Sequence, residues 1–325
     1  MSIAFVTGGT GFVGRNLIEQ MVTTGWQVVA LHRQTSNIEA LKSLNVQLVE
    51  GSITDPQSLQ RAMPEKVDAV FHVAGNTNMW SRLNSQQTRD NVDGTRNMVA
   101  TAIKRRVGRF IHTSSIITYG LHPERITEKT PSTAAASRFN YMRSKYLAEG
   151  EVLKGVNKGL DAVILNPANI IGPHDKRNWG GLIRQIRRGR LPGLPSGQAS
   201  FCHVREVVRA HIAAFDKGRT GHNYLLGGAD ASYLEIAQRA GEMLDCSVPQ
   251  KIAPVWLMHT AAHIYEQVSR ITKKMPIVTS EKVILGNATF LCSSDKAVKE
   301  LGYQPTSLDE MLQECIQWLR SEKLI

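Results

Sequence analysis

Short apolar runs without alternation recur along the first half of the chain: Ile3 to Val6, Gln27 to Leu31, Val46 to Glu50, Asp68 to Val73, Phe110 to Thr113 and Ala162 to Leu165. Unalternated runs of that length, bounded by turn residues, read as strands covered on both faces. The intervening segments carry apolar residues at helical spacing. Leu17, Ile18, Met21 and Val22 mark the first helix, Pro56 suits the first position of another, and Asn84 to Arg106 and the stretch from Tyr141 through Leu153 read as long helices. Strand and helix in strict alternation predict an α/β fold, a doubly wound parallel sheet. The order changes after His174, where Leu182 to Arg188 reads as a helix and Gly189 to Ser200 as a loop rich in glycine and proline. Pro167 and Pro173 bracket a loop that should continue neither helix nor sheet. A helix at Val204 to Asp216 and a strand at His222 to Leu226 follow, and then a mostly helical tail at Tyr233 to Leu244, Val255 to Ile271 and Leu308 to Arg320. The expected division is a dinucleotide-binding domain over 1–173, rejoined by 204–228, and a smaller, mostly helical substrate domain over 174–325.

Between the first strand and first helix lies Thr7 to Gly14, reading TGGTGFVG. Gly8 suits a tight turn with positive φ, Gly11 lets backbone approach a pyrophosphate, and Gly14 lets the helix pack closely on the strand. The N–H groups at the helix start would hold phosphates. The second strand ends in His32 and Arg33, and no Asp or Glu lies between Glu19 and Glu39. An acidic residue at about this distance binds a ribose hydroxyl, whereas a cation accommodates a 2′-phosphate. Arg33 therefore points to NADP, with NAD as the alternative.

Composition changes this picture little. With 42% hydrophobic residues in 325, the chain can bury sizeable cores. The first strand begins almost at Met1, which argues against a signal peptide, and no apolar run is long enough for a membrane span. The four cysteines, Cys202, Cys246, Cys292 and Cys315, form no paired spacing, which fits a reducing cytoplasm without a disulfide framework or zinc site. The formal charge of +11 comes from 39 basic and 28 acidic side chains, partly clustered at Lys104 to Arg109 and Arg184 to Arg190. Such a balance attracts nucleic acid, an anionic membrane surface or an acidic ligand. Without basic and aromatic residues interleaved, nucleic acid is not expected, and cations at helix ends are the simpler explanation.

Catalytic candidates gather where strands end. His72, Val73, Ala74 and Gly75 close the fourth strand, and Ser114 and Ser115 follow the fifth; His72 reads as a packed strand-end residue. Tyr141 and Lys145 are four apart on one helical face, so the lysine is placed to lower the tyrosine pKa from its usual value near 10. His259 and His263 also lie four apart, but no third ligand is in register, so no metal is expected. No nucleophile elbow or P-loop occurs, which leaves hydrolase and phosphotransfer readings unsupported.

The chain resembles the extended short-chain dehydrogenases/reductases over nearly its full length. The motifs are TGGTGFVG at 7–14, HVAG at 72–75, NVDGT at 91–95, HTSSIITYG at 112–120, YMRSK at 141–145 and NPANIIGP at 166–173. The resemblance implies Ser115 as the catalytic hydroxyl, Tyr141 as general acid/base, and Lys145 as the group that tunes the tyrosine and binds the nicotinamide ribose. It places Thr10, Phe12 and Val13 beside Gly8, Gly11 and Gly14 at the cofactor. Ser52 and Ile53 fall on the adenine side, Val73, Ala74 and Gly75 along the cofactor, and Pro167, Asn169 and Ile170 at the nicotinamide. Ser52 stands where many relatives carry Asp, so the adenine contact differs here. The helices at 84–106 and 138–154 are the surfaces through which similar proteins form homodimers.

Departures from the pattern separate branches of the family. No acidic pair occurs at Ser115 to Ile117, against a dehydratase, and no arginine precedes Phe201, Cys202, His203 and Val204, which weakens a nucleotide-sugar reading. The C-terminal wording, from Ala253, Pro254, Val255 and Trp256 to Leu301 through Pro305, is similar to the dihydroflavonol-reductase and 3β-hydroxysteroid-dehydrogenase-like branch. That implies an NADP-dependent oxidoreductase acting on a small-molecule carbonyl or secondary alcohol, with Trp80, Trp179 and Trp256 as candidate lining. The alternatives are a nucleotide-sugar epimerase of the same family and a non-catalytic NADP-binding protein.

Overall fold

Period-two alternation along each central strand explains how one sheet supports two cores. Ala4, Val6, Val28, Ala30, Ala69, Phe71, Ile111, Val163 and Leu165 face one side, and Phe5, Val29, Val70, Phe110, Ala162 and Ile164 face the other. The computed structural model describes residues 1–191 and 193–325. The first half runs β1 (Ile3–Thr7), α1 (Phe12–Thr23), β2 (Gln27–His32), α2 (Glu39–Lys42), β3 (Gln47–Glu50), α3 (Pro56–Ala62), β4 (Ala69–His72), α4 (Asn84–Thr88), α5 (Gly94–Lys104), β5 (Arg109–Thr113), α6 (Asn140–Val156) and β6 (Ala162–Pro167). It continues with β7 (Asn169–Ile171), α7 (Trp179–Arg187), β8 (Gln198–His203), α8 (Val204–Lys217), β9 (Asn223–Leu226), β10 (Asp230–Ser232) and α9 (Tyr233–Leu244). The last part holds α10 (Val255–Thr272), α11 (Ser280–Gly286), β11 (Thr289–Phe290), α12 (Asp295–Leu301) and α13 (Leu308–Ser321).

Among the described residues, seven parallel strands form the main sheet in the order β3-β2-β1-β4-β5-β6-β9. This is the expected Rossmann-like α/β architecture. The order reverses between β1 and β4, and the carboxyl ends of strands at such a switch point are where ligands of open sheets bind. One face is covered by α1, α8 and α12, the other by α3, α5 and α6. The 204–228 segment contributes α8 and β9 to this body, and Ala297, Leu301 and Tyr303 from late in the chain join the same core. A third core gathers Ile183, Ile186, Ile236, Ala240, Leu312 and Ile316 from α7, α9 and α13 with Ile117 from the turn after β5 and Met142 from α6.

Three local expectations need correction. The helix predicted over Asn84 to Arg106 is interrupted by a π turn at Arg89–Asp93 and stops at Lys104, with Arg106 left-handed at φ 52°. Pro167 does not end the sheet: it pairs with Leu226 as the last residue of β6, and the next amide, Ala168 N, donates to Leu226 O at 3.0 Å. A proline at the last position costs the ladder nothing further, so Asn169–Ile171 resumes as β7 against β8. The predicted Gly189 to Ser200 loop ends in residues of β8, which pair with β10 and β11 far along the chain. Pro192, within that loop, lies outside the described residues.

The glycine turn tolerates no side chain at its closest point. A Cβ on Gly14 would lie 2.2 Å from Gly8 O, whereas one on Gly150, inside α6, meets nothing within 4 Å. Gly14→Ala should therefore lose about 3 kcal/mol, the upper end of overpacking costs. Gly150→Ala should gain about 1 kcal/mol from helix propensity. Denaturant unfolding of the two variants measures both signs.

Candidate active site

At the switch point, Gly8 takes φ 75°, and a Cβ there would fall 2.6 Å from Ala74 N. Thr7 Oγ1 accepts from Ala74 N at 3.2 Å, so the β4 exit is held against the glycine turn. Gly11 N donates to Gly8 O at 2.9 Å, and Gly11 then caps α1 with no side-chain cap and no acidic residue in the first turn. Backbone N–H groups at a helix start, free of a carboxylate competitor and lined by Thr10, Phe12 and Val13, fit a phosphate group. The cradle left by the missing Cβ atoms at Gly8 and Gly14 fits a pyrophosphate in the same way.

The other cofactor candidates sit on the same edge. Arg33 follows β2, exposed, and its guanidinium has no partner among the described residues. Ser52 follows β3, but its hydroxyl is engaged locally with Thr54 Oγ1 at 2.9 Å, while Ile53 packs on Gly94. Val73, Ala74 and Gly75 leave β4; a Cβ on Gly75 would lie 3.9 Å from Lys145 Nζ. Pro167 ends β6, and Asn169 and Ile170 form β7.

The three catalytic candidates arrive from two elements. Ser115 caps the short 3₁₀ turn Ile116–Tyr119, its Oγ accepting from Ile117 N at 3.3 Å. Tyr141 and Lys145 stand one turn apart on α6, whose start is fixed by Asn140 Nδ2 donating to Asn84 O and Gln87 Oε1. Burial raises the Tyr141 phenol above its usual value, a hydrogen bond with Ser115 pulls it down, and the Glu281 charge adds to the rise. The serine hydroxyl thus opposes the rise that burial imposes on the phenol. Lys145 is buried and donates to Thr113 O at 2.8 Å. Its pKa falls to about 8 because burial outweighs the attraction of Glu149. The expected lowering of Tyr141 by Lys145 is not seen: desolvation dominates at the phenol, and the ammonium is turned toward the β5 carbonyl.

A family model for the NAD dependent epimerase/dehydratase family matches residues 4–227. The chain belongs to that family. The putative dihydroflavonol 4-reductase of Synechocystis sp. is 32% identical, with 98% of this chain and 94% of that protein covered. Sterol demethylase protein B of Methylococcus capsulatus is 30% identical over 98% of this chain and 99% of its own. Among solved structures, gox2253 superposes with a TM-score of 0.86 at 30% identity over the whole of both chains.

Behind the family's sheet edge lies a buried polar belt. His72 bonds Thr7 Oγ1 at 2.8 Å and Thr95 Oγ1 at 3.0 Å, and its pKa drops to about 3 through burial and the Lys145 charge. His211 bonds Thr113 Oγ1 at 2.7 Å and, from its other ring nitrogen, Val207 O; burial lowers it to about 4. His112 is fully enclosed with neither ring nitrogen partnered among the described residues, and burial holds it well below the usual range. Glu149 accepts from Asn166 Nδ2 at 2.5 Å, and burial raises its pKa against that bond and the Lys145 charge. His72 is therefore a packed strand-end residue, as expected.

Several site residues escaped sequence reasoning. Asn91 holds the 76–80 loop through Asn76 N and Asn76 O and accepts no substitute easily, since its Nδ2 also donates to Ser144 Oγ on α6. Its motif was visible; its role as a brace was not. Glu281, from α11, carries a buried Oε1 without a partner among the described residues, and desolvation raises its pKa to about 7. Nothing near it in sequence signals that its charge bears on Tyr141. Trp179 packs on Phe201 and stacks on Tyr233 at 5.5 Å in the apolar cluster that includes Tyr141. Trp80 lies beside Arg82, whereas Trp256 is turned away from the site and 70% exposed. His259 and His263 are exposed on α10, and among the described residues no His, Cys, Asp and Glu group could hold a metal. All four cysteines are free.

These ionisations give opposite pH signatures. His72, His112 and His211 have folded pKa values below their usual 6.5, so the unfolded chain binds protons first as pH falls. Their contribution to stability is present above about pH 6.5 and lost below it, so the melting temperature should fall between about pH 6.5 and pH 4 and His112→Leu should flatten that slope. Glu281 is raised, so its ionisation opposes folding as pH climbs from 4.5 to about 7. Glu281→Gln should stabilise the protein above about pH 7 and leave it unchanged below about pH 4.5. Melting curves across pH read both effects.

Proposed function

We propose that this protein is an NADP-dependent oxidoreductase acting on a carbonyl or secondary alcohol, with Ser115, Tyr141 and Lys145 as its catalytic residues. The observation that carries this reading is the convergence of Ser115, which caps the turn after β5, and of Lys145, one helical turn from Tyr141 and with its Nζ beside Gly75, on the sheet edge that also holds the glycine turn. A bound nicotinamide nucleotide would supply or accept the hydride. Tyr141 gives the proton to the substrate oxygen, or takes it in the reverse direction, and Ser115 hydrogen-bonds that oxygen and polarises the carbonyl. Lys145 carries positive charge beside Gly75 and holds the ribose.

Gly8, Thr10, Gly11, Phe12, Val13 and Gly14 bind the pyrophosphate in this reading, Ser52 and Ile53 flank the adenine, and Val73, Ala74, Pro167, Asn169 and Ile170 line the rest. The free guanidinium of Arg33 favours a 2′-phosphate, hence NADP over NAD. Residues 1–173 and 204–228 hold the nucleotide, and 174–325 mainly shape the substrate side. Trp179, Tyr233 and Phe201, in the apolar cluster on which Tyr141 also packs, favour an apolar or aromatic substrate. The names of the reductase and sterol-processing relatives support the same substrate class. The working form proposed is a cytoplasmic homodimer paired through the α4–α5 and α6 helices.

The deciding experiment follows NADPH oxidation over a panel of apolar carbonyls. Tyr141→Phe should lose about 10²- to 10⁴-fold in turnover while still binding nucleotide. Arg33→Ala should weaken NADPH with little change for NADH. Conversion of a UDP-sugar with no net change in cofactor would replace this reading with the epimerase one, and unaltered turnover in Tyr141→Phe would remove the tyrosine from the chemistry.

A further inference from the structure

Ten of the fifteen large hydrophobic side chains exposed on the described surface lie between Ile252 and Ile277. They are not scattered within that segment. At 3.6 residues per turn, Leu257, Ile264, Val268 and Ile271 fall in one stripe roughly 60° wide along α10. The two buried residues of the helix, Ala262 and Ser269, lie roughly opposite that stripe. The helix is thus laid on the protein by its small residues and turns its large aliphatic ones outward, the reverse of an ordinary surface helix. Ile271 is 84% exposed, and Ile277 in the following turn is 64% exposed. Lys273 closes the helix in a left-handed conformation, and Ser269 Oγ donates to Lys274 O at 2.7 Å, which fixes Lys274 and Met275 beside Ile271.

Charge decides what this face suits. The segment 251–277 carries Lys251, Arg270, Lys273 and Lys274, and its one carboxylate is Glu266. Glu266 is turned inward, accepting from Ser280 N at 2.8 Å and Ser280 Oγ at 3.0 Å. None of the four cations has an ion-pair partner among the described residues. An aliphatic stripe on a segment of unpaired cations, with Trp256 near its start and Lys273 and Lys274 just past Ile271 at its end, matches the boundary between acyl chains and anionic headgroups. A second copy of the chain is a poor match, because a two-fold pairing through this face would set these cations against their own copies. No helix is long and apolar enough to cross a membrane, so the fit is to a helix lying along the surface.

We propose that α10 and the turn through Ile277 form a peripheral docking surface for an anionic lipid bilayer. Leu257, Ile264, Val268, Ile271 and Ile277 enter the acyl boundary, and Lys251, Arg270, Lys273 and Lys274 engage headgroup phosphates. The docked helix packs on α11. The surface does not depend on the hydride reading, because binding is measured without turnover.

Flotation with large unilamellar vesicles tests it directly. The wild-type protein should float with equimolar phosphatidylcholine and phosphatidylglycerol, stay largely behind with phosphatidylcholine alone, and be released from the anionic vesicles by high salt. The double variants Ile264→Ser/Ile271→Ser and Lys273→Glu/Lys274→Glu should each lose about tenfold or more in vesicle affinity, with melting temperatures unchanged. A wild-type protein that fails to float with anionic vesicles overturns the proposal, and so do variants that float as well as the wild type. A stable dimer that does not float, and that Ile264→Ser/Ile271→Ser splits, assigns the face to a second copy.

Discussion

The close backbone approach between Gly8 and Ala74 is the constraint on which the rest is built. A Cβ at Gly8 would sit 2.6 Å from Ala74 N, and the same glycine's carbonyl receives Gly11 N and blocks any side chain at Gly14. Three glycines are therefore a single steric solution: β1 and β4 emerge side by side at the point where strand order reverses, and α1 starts directly over them. The open N–H groups at the start of α1 follow from the same geometry, since no side chain has room to cap them. The open N–H groups and the tight packing are one property here, not two.

The polar belt behind that edge shows how the family's fold keeps hydrogen-bonding groups inside a sheet otherwise lined by Ala, Val, Ile and Phe. Thr7, His72 and Thr95 satisfy one another, as do Thr113, His211 and Val207 O. His72 and His112 stay neutral because desolvation and the nearby Lys145 both disfavour the charged form, and His211 because of desolvation. The arrangement reserves the positive charge for Lys145 itself, whose ammonium is partnered by a carbonyl and faced by Glu149. One cation among neutral histidines is a more directed field than four titrating neighbours would give.

How much of this was legible beforehand depends on how local its cause is. The strands and α1, α9 and α13 follow from periodicity, and Gly8, Gly14 and Pro56 from conformations only those residues suit; each is a short-range effect. The break at Arg89–Asp93 was missed because its cause is the bracing of Asn91 against Asn76 and Ser144, from segments far apart in sequence. β7, β8, β10 and β11 were missed for a similar reason: they are short, and each is defined by a partner distant along the chain. Ser115, Tyr141 and Lys145 were legible only as motifs. Spacing placed Tyr141 and Lys145 on one helical face, but which way the lysine turns is set by Thr113 O, at the end of β5.

Glu281 is the sharpest case of what spacing does not carry. It lies 140 residues after Tyr141 in sequence, on a helix whose own pattern is unremarkable, and yet its charge raises the phenol's pKa. Burial raises both groups, and because the Glu281 carboxylate adds to the rise at the phenol, a protonated Glu281 lowers the cost of a tyrosinate. The pair thus couples proton occupancy at the sheet edge to α11, and α11 rests on the outward-facing α10. Proton affinity at Tyr141 is set jointly by desolvation, the Ser115 hydroxyl and a carboxylate delivered by the last third of the chain. The family's motifs position the tyrosine, and this less regular region adjusts it.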